Sequence, residues 1–390
     1  MESILEKVQL TAIDKSSWQT YRFDQIAKSI GERVEPTETD LEIYVGLEHI
    51  DSDSVHIKRF GKREDVTGTK LRCYPGDVIF GRRRAYQRKA AIVEFDGFCS
   101  AHSLVLRANP AVIDPKLFPF FLHSDTFMHR AVDISVGSLS PTINWGSLKK
   151  EEFLLPPKAQ QAQIAELLWA ADEVVEREVK LIESINAFFE AQREALVMNS
   201  AVKWIKLGDV VRRKISYGIV QAGPHVDNGM PYIKSSNLTE TGIVISDLQQ
   251  TSLSIAEKYR RSEVNPGDIV FSLRGNLGQM NIVPDELEVA NLTQGTARIS
   301  VKIEYHNEYI KTAIEANGVQ RRISVLSKGS TFKEISLEAL RKLEIPLPHS
   351  IKEQKHISSR VAILNRLEIL AGSKASNSEA LKKSLINQIF

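Results

Sequence analysis

An ordered internal repeat constrains the fold of this 390-residue chain more than any other feature. Five segments of the first half recur in the same order about 190 residues later. The pairs are YRFDQIA with IKLGDVV, YVGLEHI with YIKSSNL, YPGDVIF with NPGDIVF, GSLSPTINWGSLKKEEFLLP with GSTFKEISLEALRKLEIPLP, and Gln161 and Ile164 with Gln354 and Ile357. Because the order is kept along nearly the whole chain, we expect two copies of one structural unit.

The first part of each copy has the pattern of a mixed domain. Short β-branched and aromatic runs are broken by Gly, Pro, Asn and Asp, which is typical of strands and turns with short helices between them. In YPGDVIF and NPGDIVF, the Pro-Gly-Asp steps at 75–77 and 266–268 predict turns. The apolar residues that follow, 78–80 and 269–271, predict buried strands.

The second part of each copy predicts one long amphipathic helix. Apolar residues recur at intervals of three and four from 160 to 197 without Gly or Pro, and the pattern returns from 351 to 389. Pro157 and Pro348 stand just before these stretches, where proline is tolerated. We expect the helices to pair antiparallel through the following seam residues: Ile164, Leu167, Val174, Leu181, Ile185, Phe188, Ile357, Val361, Leu364, Leu381 and Leu385.

These patterns predict an α+β chain with a pseudo-two-fold repeat, in which two tandem mixed α/β domains are separated by two long antiparallel, coiled-coil-like helices. The expected boundaries are 1–155 for the first mixed domain, 156–199 for the central helix, 200–347 for the second mixed domain and 348–390 for the C-terminal helix.

The composition limits the cellular compartments and the kinds of partner that are expected for this chain. The formal net charge is only +2, so a role with nucleic acid must rest on local patches. Cys73 and Cys99 offer neither a disulfide framework nor metal-ligand spacing, which favours a reducing cytosol. The N-terminus lacks a signal-peptide pattern, and no run of about 18 apolar residues occurs. We expect a cytoplasmic protein that does not span a membrane.

The most basic stretch lies between Lys58 and Lys89, with eleven Lys or Arg against three acids. Aromatic residues are interleaved with the cations, and Arg82, Arg83 and Arg84 directly follow a predicted strand. Guanidinium groups in a fixed array suit phosphate contact and the reading of guanine edges. A solvated surface explains the same stretch equally well.

At the matching position the second copy reads FSLRGNLGQMNIV, where amides replace most of the arginines. Asn and Gln pair with adenine, whereas Arg prefers guanine, so two readers of different sequences would differ in this way; neutral drift on a loop is the alternative. The Gly137-Ser138 and Gly329-Ser330 pairs either bind phosphate or only turn the chain. The candidate DNA-binding residues are Lys58, Arg59, Lys62, Arg63, Arg82, Arg83, Arg84, Tyr86, Arg88, Lys89, Ser138, Lys234, Ser236, Asn237, Arg274, Asn276, Gln279, Asn281, Ser330 and Lys333.

Sequence motifs for catalysis are missing. KGST at 328 has the wrong spacing for a phosphate-binding loop, and neither Asn109-Pro110 nor Asn265-Pro266 continues as an amino-methyltransferase motif would. The nine histidines show no metal-ligand spacing with Cys or acids. We therefore expect no catalytic residues, no metal and no cofactor on this chain.

The duplicated segments GSLSPTI, FLLPP and QAQI, and GSTFKEI, IPLP and QKHI, resemble the DNA-specificity subunit of type I restriction-modification enzymes. The resemblance covers essentially the whole chain. It implies that each mixed domain is a target-recognition domain that reads one half of a bipartite, asymmetric site in double-stranded DNA. It also implies that the helices space the halves and dock two methyltransferase (modification) subunits. S-adenosylmethionine, ATP and Mg²⁺ would belong to partner subunits, including two motor-nuclease (restriction) subunits where present.

Two other functions fit parts of the sequence. A coiled-coil adaptor whose mixed domains bind proteins would show no salt-dependent affinity for duplex DNA. A nuclease with an unrecognised active site would cut DNA with magnesium. The full-length repeat favours the DNA-recognition subunit.

Overall fold

The computed structural model describes residues 14–239, 241–329 and 333–390. They form two compact units. The first is built from residues up to Leu181 together with Ser373–Phe390, and the second from Ile182–Gly372. The unit boundaries therefore fall inside the two long helices, and each unit takes part of both helices.

The first unit contains two sheets and a terminal strand pair. One sheet is antiparallel and has four strands, in the spatial order Ala27–Ile30, Ser103–Ala108, Val78–Gly81 and Ala90–Ile92. The other has five short strands, in the order Arg33–Val34, Lys70–Cys73, Gly97–Cys99, Ile43–Val45 and Gly61–Lys62. Gln19–Arg22 pairs antiparallel with Glu152–Leu155, which brings the two ends of the mixed domain together.

Short helices cover the four-stranded sheet of the first unit. They are Phe23–Ile26, Phe118–His123, Asp125–Asp133 and Trp145–Leu148. The larger core is rich in aromatic rings, and the ring centroids of Phe121 and Phe127 lie 5.4 Å apart. A smaller core, which includes Val45, Ile79 and Val105, fills the space between the two sheets.

The second unit repeats this plan with shorter strands. One sheet has the order Met280–Ile282, Ile269–Ser272 and Thr296–Ile299, and another has the order Gln249–Thr251, Met230–Ile233 and Asn291–Leu292. The paired strands are Lys203–Lys206 with Glu344–Leu347 and Leu238–Thr239 with Gly242–Ile243. Its short helices are Leu253–Lys258, Asn307–Glu315, Asn317–Leu326 and Leu337–Lys342.

Both predicted turn-and-strand segments are confirmed. Gly76 and Gly267 have φ values of 88° and 83°, which glycine adopts without a steric penalty. The next residue of each turn closes it, since Asp77 N–H donates to Tyr74 O and Asp268 N–H donates to Asn265 O, each at 3.0 Å. The strands that follow are fully buried.

Two long helices, Lys158–Met198 and Ile351–Ile389, follow the two mixed regions. Within the first unit, Asp172 contacts Lys382 and Glu178 contacts Lys374, so the partner number falls as the residue number rises. Within the second unit, Arg193 contacts Glu368. The order of the two contacts in the first unit shows antiparallel pairing, and the predicted fold class is confirmed. None of the described helices is apolar over a stretch long enough to cross a bilayer.

The expected seam between the long helices was wrong for five residues. Leu167, Val174, Leu181, Phe188 and Leu381 are 44–56% exposed. The buried residues on the first half of the central helix are instead Gln161, Ala165, Leu168, Asp172 and Val175. They also follow a seven-residue pattern. The spacing of apolar residues does not predict this face, because the face includes the small Ala165, the amide Gln161 and the charged Asp172.

Candidate nucleic-acid interface

In the first unit, two of the predicted segments come together. Residues 82–84 follow the strand Val78–Gly81, and residues 136–142 form a hairpin closed by a bridge between Val136 and Thr142. The N–H of Ile143 donates to Arg82 O at 2.9 Å, and the N–H of Arg84 donates to Pro141 O at 2.8 Å. We call 82–84 and 136–142 the paired loops of the first unit. The arginines and the Gly-Ser step therefore share one surface.

The second unit builds the same arrangement. Arg274 and Lys328 both bridge to Glu334, and the N–H of Ile335 donates to Leu273 O at 3.1 Å. Residues 273–279, together with 328–329 and 333–334, are thus the paired loops of the second unit, at positions that match those of the first. The candidate Ser330 lies outside the described residues. The repeat seen in the sequence therefore extends to the contact between two loops far apart in the chain.

The arginines of the first unit are held in different ways. Arg84 is exposed and adopts a left-handed conformation with a φ of 54°, which is uncommon for a residue with a side chain. The Nε of Arg83 donates to Ser140 Oγ at 3.2 Å. Arg82 has a buried Nε without a partner among the described residues. Partial burial, followed by the charges of Arg83 and Arg82, lowers the pKa of His102 below its usual value. Arg83 and Arg82 therefore both lie close enough to His102 to disfavour its charged form.

The tip of the first hairpin presents two further exposed side chains. Gly137 has a φ of 114°, a conformation that requires glycine, and turns the chain into Ser138 and Leu139. Ser138 is exposed, and Leu139 is 93% exposed. Tyr86, just after the arginines, is 57% exposed. Leu139 and Ser140 are not among the predicted residues, because their only signal in the sequence is their position inside the repeated Gly-Ser segment.

The paired loops of the second unit present amides beside one arginine. Arg274 and Asn276 are exposed, and Gln279 is half-buried. A methyl group placed on Gly295 would lie 3.3 Å from Arg274 Nε, so the Arg274 side chain lies against that backbone. Lys333 Nζ lies 3.4 Å from Ser324 Oγ. These side chains form a polar surface with less positive charge than that of the first unit.

The structure does not support the prediction that Arg88 binds DNA. It is largely buried and pairs through Nε with Asp53 at 2.6 Å and through Nη1 with Asp125 at 2.8 Å. A third bond runs from Nη2 to the carbonyl of His123. Its guanidinium joins three parts of the unit and is not available to DNA, because its charge is already compensated inside the protein.

The other cations between 58 and 89 are mostly paired with neighbours. Lys58 forms an ion pair with Glu176 at 2.8 Å, Arg59 with Asp51, and Arg63 with Glu64 at 3.2 Å. Lys89 Nζ donates to Leu47 O at 2.6 Å. Lys62 is exposed. The high local charge of this stretch is therefore partly neutralised at the protein surface.

Two amides of the second unit also correct the predictions. Asn281 is buried, and its Nδ2 donates to Thr239 O at 3.0 Å. Asn237 is buried and its Oδ1 accepts the N–H of Lys234 at 2.9 Å. Both amides therefore bond main-chain groups of their own unit. Ser236, next to Asn237, is exposed, and Lys234 Nζ lies 3.0 Å from Gln249 Oε1.

Among the described residues, no group of three or more His, Cys, Asp or Glu side chains could hold a metal ion. The buried polar clusters join structural elements. In the first unit, for example, Asp172 accepts from His56 Nε2 at 2.6 Å and from Lys382 Nζ at 3.0 Å. The paired loops are therefore the strongest candidate surface for a macromolecular ligand.

The comparison with known families decides the identity. The family described as type I restriction modification DNA specificity domain matches residues 16–187 and again residues 199–376. The chain belongs to this family. Two tandem specificity domains make it a DNA-recognition subunit of a type I restriction-modification system, a non-catalytic component, and the adaptor alternative is rejected.

Individual relatives and solved structures agree with this family. A putative type I restriction enzyme MjaX specificity subunit from Methanocaldococcus jannaschii is 24% identical over 378 residues, covering 88% of this chain and 85% of its own. The EcoBI specificity subunit of Escherichia coli is 24% identical over 307 residues, covering 70% of this chain and 64% of its own. One solved structure comes from work on complex assembly and conformational transition of the type I R-M system. Its superposition on this chain gives a TM-score of 0.68 at 18% sequence identity. It covers 95% of this specificity subunit and 96% of its own chain, and it supports the fold.

Proposed function

We propose that each unit of this specificity subunit reads one half of a bipartite DNA site through its paired loops. The observation that carries the proposal is the repeated backbone frame with different side chains. In both units the loop after a buried strand accepts the same main-chain hydrogen bond from an isoleucine a few residues after the repeated Gly-Ser step, from Ile143 to Arg82 and from Ile335 to Leu273. A constant frame with variable side chains suits two readers of unlike half-sites.

The side chains favour different base pairs in the two halves. Arg83 and Arg84 in the first unit suit phosphates and the two acceptors of guanine in the major groove. Asn276 and Gln279 in the second unit suit the donor and acceptor of adenine, with Arg274 beside them. The proposed site is therefore asymmetric, with a G-containing half and an A-containing half.

The long helices are proposed to dock the partner subunits. On the central helix of the first unit, Leu167, Val174 and Leu181 form an exposed apolar stripe at seven-residue spacing. Such a stripe suits a helical or grooved protein partner. We assign it to methyltransferase (modification) subunits, two per chain because the unit is repeated. The lengths of the helices, 41 and 39 residues, set the unread gap in this proposal.

The chemistry is proposed to reside on the partners. S-adenosylmethionine would bind the modification subunits, and ATP and Mg²⁺ would bind two motor-nuclease (restriction) subunits where the host has them. The cytoplasm, where host DNA lies, is the proposed location.

The direct test is duplex binding by the chain assembled with its modification subunits. Replacement of Arg82, Arg83 and Arg84 by Ala is expected to weaken binding and to reduce the slope of log affinity against log salt concentration. The matched control replaces three exposed cations of the same unit away from the paired loops, Lys28, Arg33 and Lys150, by Ala. Equal affinity and salt slope for both variants and the wild type would remove the paired loops from the interface.

A further inference from the structure

The second unit contains a strongly basic pocket away from its paired loops. The pocket has a volume of 780 Å³, and six of its eleven lining residues are cationic against one acid, Glu263. The six cations are Arg213, Lys214, Arg260, Arg261, Arg298 and Arg341. A concave surface with this charge attracts anions, because the field is focused where low-dielectric walls surround it.

Arg298 is the unusual residue of the pocket. It is 3% exposed, and its strand position pairs with Val270 as Val105 of the first unit pairs with Ile79. Val105 is fully buried in an apolar core. The second unit has therefore placed a guanidinium where the first has a hydrocarbon. A buried arginine costs desolvation free energy unless a partner compensates it.

The compensation inside the protein is incomplete. Arg298 Nη1 donates to Glu263 O at 2.6 Å, but its Nε has no partner among the described residues. Ser300, two residues further along the chain and just after the strand ends, has a buried hydroxyl that is also unpartnered among them. Burial lowers the pKa of Arg298, the Asp268 carboxylate opposes this, and the charges of Arg213 and Arg212 lower it further. Positive charge at this point is in excess.

The remaining cations are arranged so that their charge stays available. Arg341 is held by hydrogen bonds to the Ile215 carbonyl, a neutral partner. Arg261 stacks on Tyr259 at 5.8 Å, which also leaves its charge uncompensated. Arg260 pairs with Glu257 at 3.6 Å, but both side chains are more than 70% exposed, so water screens that pair.

We propose that this pocket binds a phosphate group, supplied by the backbone of the DNA whose half-site the second unit reads. The supply by DNA rests on the proposed function. Arg298 lies three residues along the chain from Gly295, which immediately precedes the strand Thr296–Ile299 and against which Arg274 of the paired loops packs, a backbone path of about 10 Å. That is within the width of a major groove, about 12 Å, so one duplex can reach both. The pocket is also much larger than a single phosphate ion needs.

The test scans the DNA backbone one phosphate at a time with the chain in its methyltransferase complex. Neutral methylphosphonates replace single phosphates in and beside the half-site read by the second unit. We expect one or two positions to weaken binding at least about tenfold in the wild type. The same positions should have no effect in the Arg298→Val variant, which carries the side chain of the first unit, or in the Arg260→Ala, Arg261→Ala variant.

Both pocket variants are expected to bind the unmodified duplex at least about tenfold more weakly. Their salt slope should fall by about 1 for each phosphate that the pocket no longer neutralises. The sequence they recognise should be unchanged. Because Arg260 and Arg261 are exposed, the double variant keeps the test valid if Arg298→Val does not fold. Arg321→Ala, which removes an exposed arginine outside the pocket, is the control.

Four outcomes separate the possibilities. If the methylphosphonate effect is lost in both pocket variants but kept in the Arg321→Ala control, the proposal is supported. Wild-type affinity and salt slope in both pocket variants would overturn it while leaving the proposed function intact, whereas a wild-type complex without salt-dependent duplex binding would overturn both. If inorganic phosphate raises the melting temperature of the wild type but not of Arg298→Val, and duplex binding is equal, the pocket takes free phosphate and the DNA source is wrong.

Discussion

One buried glutamine near the start of each long helix connects that helix to the mixed region before it. Gln161 is 1% exposed; its Oε1 accepts the N–H of Asp114 at 2.6 Å, and its Nε2 donates to Val112 O and Pro156 O, both at 2.9 Å. Gln354 is 2% exposed, and its Oε1 accepts the N–H of His306 at 2.8 Å. The repeated glutamine of the sequence is therefore a main-chain bonding residue. Because an uncharged side chain with both a donor and an acceptor satisfies these groups, its recurrence has a physical reason.

Replacement of Gln161 by Leu is expected to destabilise the chain by about 1–3 kcal/mol, because buried main-chain groups lose their partner. Chemical denaturation measures the change. Gln163→Leu is the matched control, since Gln163 lies on the same helix and is exposed. Equal losses of stability in the two variants would show that the hydrogen bonds of Gln161 contribute nothing beyond helix propensity.

At the scale of elements, a charged cluster joins a loop to both long helices in the first unit. Asp172 on the central helix lies between His56 and Lys382, and both carboxylate oxygens are bonded. Burial opposes the Asp172 charge, but the hydrogen bond from His56 and the charge of Lys382 outweigh it and lower the pKa of Asp172. The hydrogen bond to Asp172 raises the pKa of His56, against the effect of burial, with smaller contributions from Glu176 and Glu94.

The cluster predicts a pH-dependent stability. Since the pKa of His56 is raised in the folded chain, its contribution is full below the unfolded value of about 6.5 and is lost as the pH rises through the folded value. Unfolding free energies of the wild type and His56→Gln, measured across neutral pH, should differ most at the acid end. His129→Gln, at an exposed histidine, is the control. A difference between wild type and His56→Gln that is constant with pH would contradict the assignment.

The elements that the sequence predicted are those with a local cause. The Pro-Gly-Asp turns and their strands follow from turn chemistry and a short apolar run, and the long helices from periodicity. The buried face of the helices was missed because Asp172 is compensated by His56, 116 residues away in the chain. Arg88 was misassigned for the same reason, since its partner Asp53 is not a local neighbour. Charge patterns along a sequence do not distinguish a cation that is free to bind from one already paired.

At the scale of the whole molecule, the end of the chain belongs to the first unit. Residues Ser373–Phe390 are part of it, and Ile386 and Ile389 lie in its large aromatic core. Asn387 Oδ1 accepts the N–H of Asp125 at 2.8 Å, and its Nδ2 donates to Asp125 Oδ2 at 2.7 Å. Each unit therefore contains the last part of a long helix that begins in the other unit. The strand pair Gln19–Arg22 and Glu152–Leu155 joins the two ends of the first mixed domain. The first unit also needs the C-terminal helix segment.

Removal of residues 373–390 is expected to destabilise the first unit, although the deletion is adjacent in sequence to the second. Hydrogen exchange should lose protection at the helix Asp125–Asp133 and the strand Val78–Gly81, because their shared core loses two buried isoleucines. The strand Ile269–Ser272 of the second unit serves as the internal control. Equal loss of protection in the two strands, or loss only in the second, would contradict this division of the chain.

Sequencing the methylome of cells that carry the partner subunits tests the central claim most directly. With the wild-type chain, adenine methylation should occur at one asymmetric bipartite motif that is absent without the chain. Replacing Arg274 and Asn276 by Ala should relax or change one half of that motif and leave the other half and the gap as they were. Methylation that does not depend on the chain, or a change in both halves at once, would contradict the account of two independent readers.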